Sequence, residues 1–309
     1  MEGVENRGMH TLDCLVIGAG PAGLTAAIYL ARFRRDFLVL DGGPSRAELI
    51  PSTHNFPAWP QGVSGEKLLA RLREQALAHE ARIEKGRVEC LQRDGGDFIA
   101  IAGDARWRAR SVILATGIVD RHPDWPGLRE ATLEGLLRWC PICDGFEMLD
   151  KDIALVTAAG SGLGHAKFLR TFSRNVTLVA LSDEEGLDAS GVAELEAQGI
   201  GLEARPLLGF ESRGRRVALK FADGTAREFD AVYPMLGCKV QAELATQLGA
   251  RCDSSGDLLV DAHQCTSVEG LYAIGDVVSD INQISVGTGH AAIAATAIHN
   301  RLERNFRGR

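Results

Sequence analysis

A chain of 309 residues is long enough for two domains with buried cores, and its 45% hydrophobic and 24% charged residues exclude a disordered or fibrous protein. Subtracting 41 acidic from 34 basic residues gives a net charge of −7, which argues against nucleic-acid binding because that function depends on clustered lysine and arginine. The first ten residues lack the apolar core of a signal peptide, and no apolar run approaches the ~20 residues of a membrane span, so we expect a cytoplasmic protein without a membrane partner.

In a sequence that shows no export signal, seven cysteines do not indicate a disulfide scaffold, because an odd number cannot pair completely. Five of them are scattered and are expected to be small buried hydrophobes: Cys14, Cys90, Cys238, Cys252 and Cys265. The remaining two, Cys140 and Cys143, are separated by two residues and need a different explanation.

Apolar runs and helical spacing predict that the chain opens with a strand, a helix and a second strand. These elements are predicted at Asp13–Ile17, Ala22–Phe33 and Phe37–Leu40. A helix over Gly65–Glu80, a strand-rich stretch over Arg82–Arg108 and a short strand at Ser111–Ala115 follow. This order is a βαβ opening, which is typical of nucleotide-binding domains.

Between the first strand and the first helix lies Gly18-Ala-Gly20-Pro21-Ala22-Gly23. In such a unit the first glycine makes the tight turn, the second lets the backbone approach a pyrophosphate, and the third lets helix and strand pack closely. The helix N-terminus then holds the phosphate charge. Asp41 ends the second strand, where a carboxylate would accept hydrogen bonds from ribose hydroxyls. This context predicts a dinucleotide site.

A second alternation of strands and helices begins at Asp152. It is predicted to contain strands at Ile153–Thr157 and Val176–Leu181, a helix at Gly162–Phe172 and a charged hairpin at Val217–Phe229. After it come a helix at Gln241–Leu248, strands at Leu258–Val260 and Leu271–Ile274, and a final helix from Gly289 to Leu302. We therefore predict an α/β protein with two Rossmann-like three-layer domains. The first is discontinuous, over 1–117 and 240–309, and the second is inserted over 118–239.

The inserted domain carries Cys140-Pro-Ile-Cys143-Asp144-Gly145. Two thiols at this spacing can close a disulfide whose opening gives one nucleophilic thiolate and one resolving thiol, so the pair can exchange electrons with another disulfide. The alternatives are a zinc half-site and two core cysteines. Zinc would need a second ligand pair at matching spacing, which the sequence lacks, so we predict no metal site.

The segment Gly270-Leu-Tyr-Ala-Ile-Gly275-Asp276 precedes the final helix. A strand that ends in Gly-Asp can place a carboxylate on the ribityl chain of FAD. The same pair is also common in ordinary loops. The position of this pair between the last strand and the last helix favours a contact with FAD over an ordinary loop.

Four segments, in this order and spacing, resemble the low-molecular-weight thioredoxin reductase family. They are Gly18 to Gly23, Ala115-Thr116-Gly117, Cys140 to Gly145 and Tyr272 to Asp276, and the similarity extends from about Asp13 to Leu302. The resemblance implies FAD bound by the discontinuous domain, a dithiol in the inserted domain and a homodimer. It also implies contacts with FAD from Asn55, Val88, Gln283 and Ile284.

The resemblance further implies a division of labour in the dithiol. The second cysteine, here Cys143, would exchange electrons with the flavin, while the first, here Cys140, would attack a substrate disulfide. Asp144 would be the general acid that protonates the departing thiolate. The implied partner is a thioredoxin-like protein or a small dithiol or disulfide.

The sequence departs from the family where NADPH would bind. The family's second fingerprint, Gly-x-Gly-x-x-Ala, falls on Thr157, Ala159 and Gly162, and a Cβ at the second position would intrude on the pyrophosphate. The family's His-Arg-Arg run is replaced by Ala180-Leu-Ser and then by the acidic run 183–185, which would repel a 2′-phosphate. We therefore regard NADPH binding as doubtful and predict another donor, such as ferredoxin.

Three functions stay open at this point. They are reduction of a thioredoxin-like disulfide, oxidation of a dithiol with molecular oxygen, and redox sensing by a flavin-bound protein with little turnover. Relatives that act as oxidases carry histidine after the second cysteine, so Asp144 favours reduction. His290, at the predicted start of the final helix, fits either a contact with the flavin or simple packing.

Overall fold

The computed structural model describes residues 10–158, 162–181, 188–278 and 281–307. The chain divides into two compact units, which comprise 1–48, 65–119 and 239–309 in the first and 49–64 and 120–238 in the second. The predicted boundaries lie within two residues of the passages at 119/120 and 238/239. The segment 49–64, however, groups with the inserted unit, where the Asn55 side-chain amide donates a hydrogen bond to the carbonyl of Ile142 at 3.3 Å.

The strands are numbered in chain order. They are β1 Thr11–Leu12, β2 Cys14–Ile17, β3 Phe37–Asp41, β4 Ile83–Lys85, β5 Cys90–Asp94, β6 Asp97–Ala102, β7 Ala105–Ala109, β8 Val112–Leu114, β9 Ile118–Asp120, β10 Ile153–Thr157, β11 Val176–Ala180, β12 Gly201–Glu203, β13 Leu207–Arg213, β14 Arg216–Phe221, β15 Ala226–Phe229, β16 Ala231–Met235, β17 Cys238–Val240 and β18 Leu271–Ala273.

The helices are numbered in the same way. They are α1 Pro21–Arg32, α2 Gly65–Ala78, α3 Leu128–Leu133, α4 Pro141–Asp144, α5 Leu163–Leu169, α6 Ala189–Ala197, α7 Glu243–Thr246 and α8 Ile284–Arg301. Single 3-10 turns occupy Arg46–Leu49, Phe146–Met148 and Gly275–Val277.

The first unit is built on a parallel sheet of strand order β18-β8-β2-β3-β4. Side chains of its central strand β2 alternate between two buried clusters, because successive residues of a strand face opposite sides. Leu15 and Ile17 pack with the second sheet, of order β1-β7-β6-β5, whereas Cys14 and Val16 pack with α1 and α8. The unit therefore has three layers.

The second unit repeats this plan with a parallel sheet of order β12-β11-β10-β16. Ala154 and Val156 of β10 pack against the antiparallel sheet β13-β14-β15, whereas Ile153 and Leu155 pack with α5 and α6. Two parallel sheets, each covered on both faces, confirm the predicted α/β class with Rossmann-like units.

Some predicted elements differ from the structure. The prediction of a strand at Leu258–Val260 was wrong, because Leu258 and Val260 each form a single isolated bridge to a different partner and no ladder extends from either. The helix predicted over Gly162–Phe172 ends at Leu169, and the one predicted over Gln241–Leu248 spans Glu243–Thr246.

The last helix begins at Ile284, five residues before the predicted start at Gly289. Its glycine-rich first turns have a low intrinsic helix propensity, which is why the sequence did not indicate them. The structure gives the reason for these small residues, because a Cβ on Gly287 would lie 3.3 Å from both Ala22 and Gly275. Close packing against α1 compensates for the weak propensity.

Among the residues that the structure describes, no helix combines the length and the apolar character that crossing a bilayer requires.

Candidate active site and cofactor site

The turn between β2 and α1 requires glycine at its first and last positions. Gly18 has φ +112°, and a Cβ there would lie 2.3 Å from the carbonyl oxygen of Ala115. A Cβ on Gly23 would lie only 1.9 Å from the carbonyl oxygen of Gly18. A side chain on Gly18 would push the turn away from the segment that follows β8, and one on Gly23 would push α1 away from the turn, so both glycines hold the turn in shape.

Gly20 differs, because among the described residues a Cβ there would meet only the Ser45 hydroxyl oxygen, at 3.3 Å. Gly20 is the N-cap of α1, no side chain caps that end, and Pro21 at the first helical position has no N–H. The backbone N–H groups at this helix start thus face a cradle that is open because residue 20 has no side chain. A pyrophosphate fits such a cradle. Gly20, Pro21 and Ala22, at the start of α1, therefore suit the dinucleotide predicted to bind there.

The Ala115-Thr116-Gly117 segment lies directly beside this turn. The Ala115 N–H donates to the carbonyl of Ile17 at 2.8 Å, and the Thr116 hydroxyl donates to the carbonyl of Gln241 at 2.7 Å. Gly117 accepts the Gln241 N–H at 3.0 Å. The segment is therefore fixed from both sides.

The Asp41 carboxylate, predicted to bind ribose, is itself in contact with two cations. Its Oδ2 accepts from Arg73 at 2.6 Å and from Lys85 at 2.9 Å, and its Oδ1 accepts from the Gly43 N–H at 3.3 Å. Burial acts to raise the pKa of Asp41, but the hydrogen bonds from Lys85 and Arg73 outweigh it and hold the pKa below its usual value. Asp41 is thus kept ionised, while its contact with ribose stays a prediction.

The Gly275-Asp276 pair follows β18 as predicted from the sequence. The Asp276 carboxylate lies 3.7 Å from the Arg46 guanidinium, so a cation adjoins this carboxylate. The Gly275 N–H donates to Nδ1 of His290 at 3.4 Å, and burial lowers the pKa of this histidine. Because Nδ1 is the acceptor, His290 acts as a neutral support for the turn that carries Asp276.

The four residues assigned to FAD by resemblance lie in different settings. Gln283 is the N-cap of α8 and Ile284 its first residue, so both belong to a helix start. Val88 is buried in a core cluster of the first unit and follows Gly86, whose N–H donates to the carbonyl of Asp41 at 3.0 Å. Asn55, in contrast, belongs to the second unit and contacts Ile142. Their contacts with FAD stay predictions.

Cys140 and Cys143 form a disulfide across the single turn of α4. Cys140 is the N-cap and its Sγ accepts the Cys143 N–H at 3.2 Å, while Pro141 occupies the first helical position. An N–H donor on Sγ stabilises a thiolate there once the disulfide opens. Ile142 is 52% exposed and Phe146 69% exposed, so apolar surface borders the sulfur pair.

Asp144, next to Cys143, is held on both oxygens. Its Oδ1 accepts from the Tyr233 hydroxyl at 2.8 Å, and its Oδ2 lies 3.0 Å from a guanidinium nitrogen of Arg138. Burial raises the pKa of Asp144, although Arg138 and Tyr233 oppose this by favouring the carboxylate. A carboxyl group with a raised pKa is suited to donate a proton nearer to neutral pH.

Gly145 completes the motif for a packing reason. A Cβ there would lie 2.5 Å from the ring of Phe172 and 2.6 Å from the carbonyl of Pro141. Glycine thus lets α4 lie directly on the aromatic ring of Phe172, which follows α5.

The second βαβ turn does not repeat the first. Thr157 remains within β10, paired with Ala180 and Met235, and its hydroxyl donates to the carbonyl of Ala158 at 2.9 Å. Gly162 is the N-cap of α5, where a Cβ would lie 2.5 Å from Cγ2 of Thr157. Ala159, Ser182 and the acidic run 183–185, on which the NADPH prediction also rests, lie outside the described residues.

The sequence reasoning missed several residues that the structure brings to these sites. They are Ser45, Arg46, Arg73, Lys85, Arg138 and Tyr233. A usable signal existed for Tyr233, which is a polar side chain in an otherwise apolar strand, Ala231–Met235. Arg73 and Lys85 are far from Asp41 in sequence and carried none.

Comparison with known proteins gives a consistent result. The chain matches the model of the pyridine nucleotide-disulphide oxidoreductase family over residues 12–296. A thioredoxin reductase of Mycolicibacterium smegmatis is 31% identical, with 92% of this chain and 94% of the relative covered. A bifunctional thioredoxin reductase/thioredoxin of Mycobacterium leprae is 29% identical over 92% of this chain and 64% of the relative.

Among solved structures, the thioredoxin reductase of Streptococcus pyogenes superimposes with a TM-score of 0.86 at 26% identity, covering 95% of this chain and 98% of that one. The resemblance inferred from the motifs is therefore confirmed over nearly the whole chain. The protein belongs to the pyridine nucleotide-disulphide oxidoreductase family and is, within it, a flavoprotein disulfide oxidoreductase of the low-molecular-weight thioredoxin reductase type.

Proposed function

We propose that this protein reduces the disulfide of a thioredoxin-like partner through Cys140 and Cys143, with electrons from a donor other than NADPH. The observation that carries the proposal is the closed Cys140–Cys143 disulfide, bordered by exposed Ile142 and Phe146 and adjoining the acid Asp144. Apolar side chains around a reactive sulfur pair suit a protein surface better than a small charged disulfide.

The chemistry assigned to the chain is thiol–disulfide exchange. The Cys140 thiolate attacks one sulfur of the partner's disulfide, which forms a mixed disulfide and releases one partner thiolate. Asp144 protonates the departing thiolate, which would otherwise reverse the step. The Cys143 thiolate then attacks Cys140, which closes the internal disulfide and releases the second partner thiol.

The chemistry that FAD supplies when bound is the transfer of an electron pair, which reopens the Cys140–Cys143 disulfide. The turn at Gly18, Gly20 and Gly23 would hold its pyrophosphate, and Asp276 its ribityl chain. Arg46, beside Asp276, adds a cation that suits phosphate charge.

The identity of the partner is supported by a relative. In Mycobacterium leprae a thioredoxin reductase that is 29% identical to this chain is named as a bifunctional protein with thioredoxin. We therefore take a thioredoxin as the probe for the substrate, with small disulfides as the comparison.

The donor is inferred from the second βαβ turn. Thr157 places a side chain where the NADPH fingerprint needs glycine, and α5 spans only Leu163–Leu169. A helix this short offers a weak dipole for phosphate. The first turn has bare glycine backbone followed by a long helix, and the second turn lacks both features. We therefore expect NADPH to bind poorly and another donor, such as ferredoxin, to reduce the flavin.

Trapping tests the roles of the two cysteines. Cys143→Ser leaves Cys140 without a resolving thiol, so incubation with oxidised thioredoxin should accumulate a mixed disulfide that a non-reducing gel detects. Cys140→Ser should accumulate far less, and the double variant none. Equal trapping by both single variants would contradict the assigned roles, and trapping by neither would contradict thioredoxin as substrate.

Anaerobic titration of the flavin-loaded protein tests the donor. Reduced ferredoxin alone should bleach the visible flavin absorbance, and oxidised thioredoxin added afterwards should restore it, whereas NADPH and NADH should bleach it slowly. Rapid stoichiometric bleaching by NADPH would overturn the donor assignment. Hydrogen peroxide formation from a dithiol and oxygen would indicate the oxidase, and a lack of turnover with every donor would indicate the sensor.

A further inference from the structure

Three side chains of the second unit meet on the acid beside the dithiol, and two of them have no assigned role. Asp144 lies at the end of α4, Arg138 precedes α4, and Tyr233 lies on β16. The Tyr233 hydroxyl and an Arg138 guanidinium nitrogen contact different oxygens of the carboxylate, at 2.8 and 3.0 Å. Tyr233 is fully buried, and the Arg138 and Asp144 side chains are 17% and 16% exposed.

The backbone holds both partners in place independently of the carboxylate. The Arg138 N–H donates to the carbonyl of Val232 at 2.9 Å, and the Val232 N–H donates to the carbonyl of Leu136 at 2.9 Å. Arg138 is thus tied to the residue that precedes Tyr233. The next strand, β10, pairs Leu155 with Tyr233 and fixes it from the other side. Because backbone hydrogen bonds fix both donors, Arg138 and Tyr233 form a preorganised binding site for the Asp144 carboxylate, which we call the seat.

We propose that Arg138 and Tyr233 are positioning residues that orient the Asp144 carboxyl group and set the pH range in which it delivers a proton to the leaving thiolate. The proposal rests on the proposed function, in which Asp144 is the general acid. Neither residue is assigned a contact with the reacting sulfur atoms, and both act through Asp144.

The two donors and the buried surroundings act on the carboxyl group in opposite directions. Burial raises the pKa of Asp144, the nearby charge of Glu147 raises it further, and Arg138 and Tyr233 lower it. Burial also raises the pKa of Tyr233, so this hydroxyl stays protonated and remains a donor. Each carboxylate oxygen accepts one of these bonds and keeps a second lone pair, which can carry the proton to be delivered.

The removal of either donor therefore has a defined sign. Without the Tyr233 hydroxyl or the Arg138 cation the carboxylate is less stable, so Asp144 holds its proton to higher pH. The deprotonation of the acid, which ends its activity as pH rises, would move upward by about one to two units for Tyr233→Phe. For Arg138→Gln we expect a shift of about one to three units.

The test measures the rate at which the prereduced protein reduces oxidised thioredoxin in a single turnover across pH. The wild-type profile should fall at high pH because Asp144 loses its proton, and Asp144→Asn should remove this limb and lower the plateau by ~10²–10⁴-fold. Tyr233→Phe and Arg138→Gln should both move this limb to higher pH, and the shift should be larger for Arg138→Gln. Arg138→Lys, which keeps the cation, should return the limb toward its original position.

A second readout does not depend on thioredoxin. Infrared difference spectra of the oxidised protein, wild type minus Asp144→Asn, report the protonated carboxyl band of Asp144 across pH. Matched controls are Tyr29→Phe, which changes another tyrosine, and Arg213→Gln, which breaks an exposed ion pair with Glu228 of the same 3.0 Å length. Neither control should move the band.

The outcomes separate this proposal from the proposed function. An Asp144 band that titrates at the same pH in Tyr233→Phe, Arg138→Gln and wild type would overturn the positioning role, whatever the activity. A band that shifts as expected in a protein that does not reduce thioredoxin would keep the seat but remove the proposed substrate. A rate that Asp144→Asn leaves unchanged would overturn the acid role on which the proposal depends.

Discussion

The two parallel-sheet units begin in the same way and diverge at one turn. In the first, β2 ends at Ile17, residue 18 adopts φ +112°, and α1 begins at Pro21. In the second, β10 continues through Thr157 and α5 begins only at Leu163. The connection from strand to helix thus comprises residues 18–20 in the first unit and the longer stretch 158–162 in the second.

The third position of each fingerprint, Gly23 in the first turn and Gly162 in the second, shows a feature that the two turns share. A Cβ on Gly23 would strike a backbone oxygen at 1.9 Å, and a Cβ on Gly162 would strike a side-chain methyl, Cγ2 of Thr157, at 2.5 Å. Both glycines thus let a helix approach a strand closely. Only the first turn pairs that packing with an open second glycine at the start of a twelve-residue helix. Close packing is a requirement of the fold, whereas the open cradle is a requirement of phosphate binding.

The largest expected effect comes from closing that cradle. Gly20→Val should abolish FAD retention, because branched carbon atoms would fill the space where a pyrophosphate meets the backbone. The fold should survive, since the nearest atom to the new Cβ is the end of the Ser45 side chain at 3.3 Å. The flavin-to-protein ratio after purification, together with circular dichroism, checks both statements.

The second unit offers a matched control in Gly164→Val. Gly164 lies in the first turn of α5, and a Cβ there would have no atom within 4 Å among the described residues outside that helix and its chain neighbours. This variant should keep its full FAD content. A Gly20→Val protein with native flavin content would show that the first turn is not the pyrophosphate site.

Much of this comparison could be predicted from the sequence alone. The bounds of β10, Ile153–Thr157, were predicted to the residue because a buried central strand is a continuous apolar run. The first glycine fingerprint was located because its spacing reflects a local backbone requirement. Features that depend on residues close together in the sequence could therefore be predicted.

Features that depend on contacts between residues far apart in the sequence could not be predicted. The grouping of 49–64 with the second unit, the start of α8 at Ile284 and the seat formed by Arg138 and Tyr233 all depend on residues far apart in sequence. The polar Tyr233 gave a hint without naming its partner, since a buried hydroxyl needs an acceptor that the sequence does not specify.

The next effect in size concerns NADPH at the second turn. We expect the unmodified protein to bind NADPH with a Kd on the order of millimolar or weaker, ~4 kcal/mol or less of binding free energy. Thr157→Gly, Ala159→Gly and Ser182→Arg together should tighten binding about tenfold or more, because they restore bare backbone and add a cation for the 2′-phosphate. Leu181 is left unchanged because it packs on the core of this unit. Calorimetry on both proteins measures the difference.

Matched titrations with NADH separate the two parts of that gain. The glycine substitutions should improve both cofactors, while Ser182→Arg should improve NADPH alone, since NADH lacks the 2′-phosphate. Micromolar NADPH binding by the unmodified protein would contradict the distinction drawn between the two turns.

The smallest effect tests whether Gly162 serves packing alone. Gly162→Ala should lower the free energy of unfolding by about 1–3 kcal/mol, because its Cβ would overlap Cγ2 of Thr157 at 2.5 Å. Thr157→Ser removes that methyl group, so the double variant should be less destabilised than the sum of the single variants, with a coupling of about 0.5–3 kcal/mol. Denaturant unfolding of the four proteins of this cycle gives the coupling, and the FAD content should stay constant throughout. Additive losses would mean that the helix start relieves the contact by moving. The two turns would then differ in rigidity as well as in their capacity to hold phosphate, since Gly23 faces a backbone oxygen that has no such freedom.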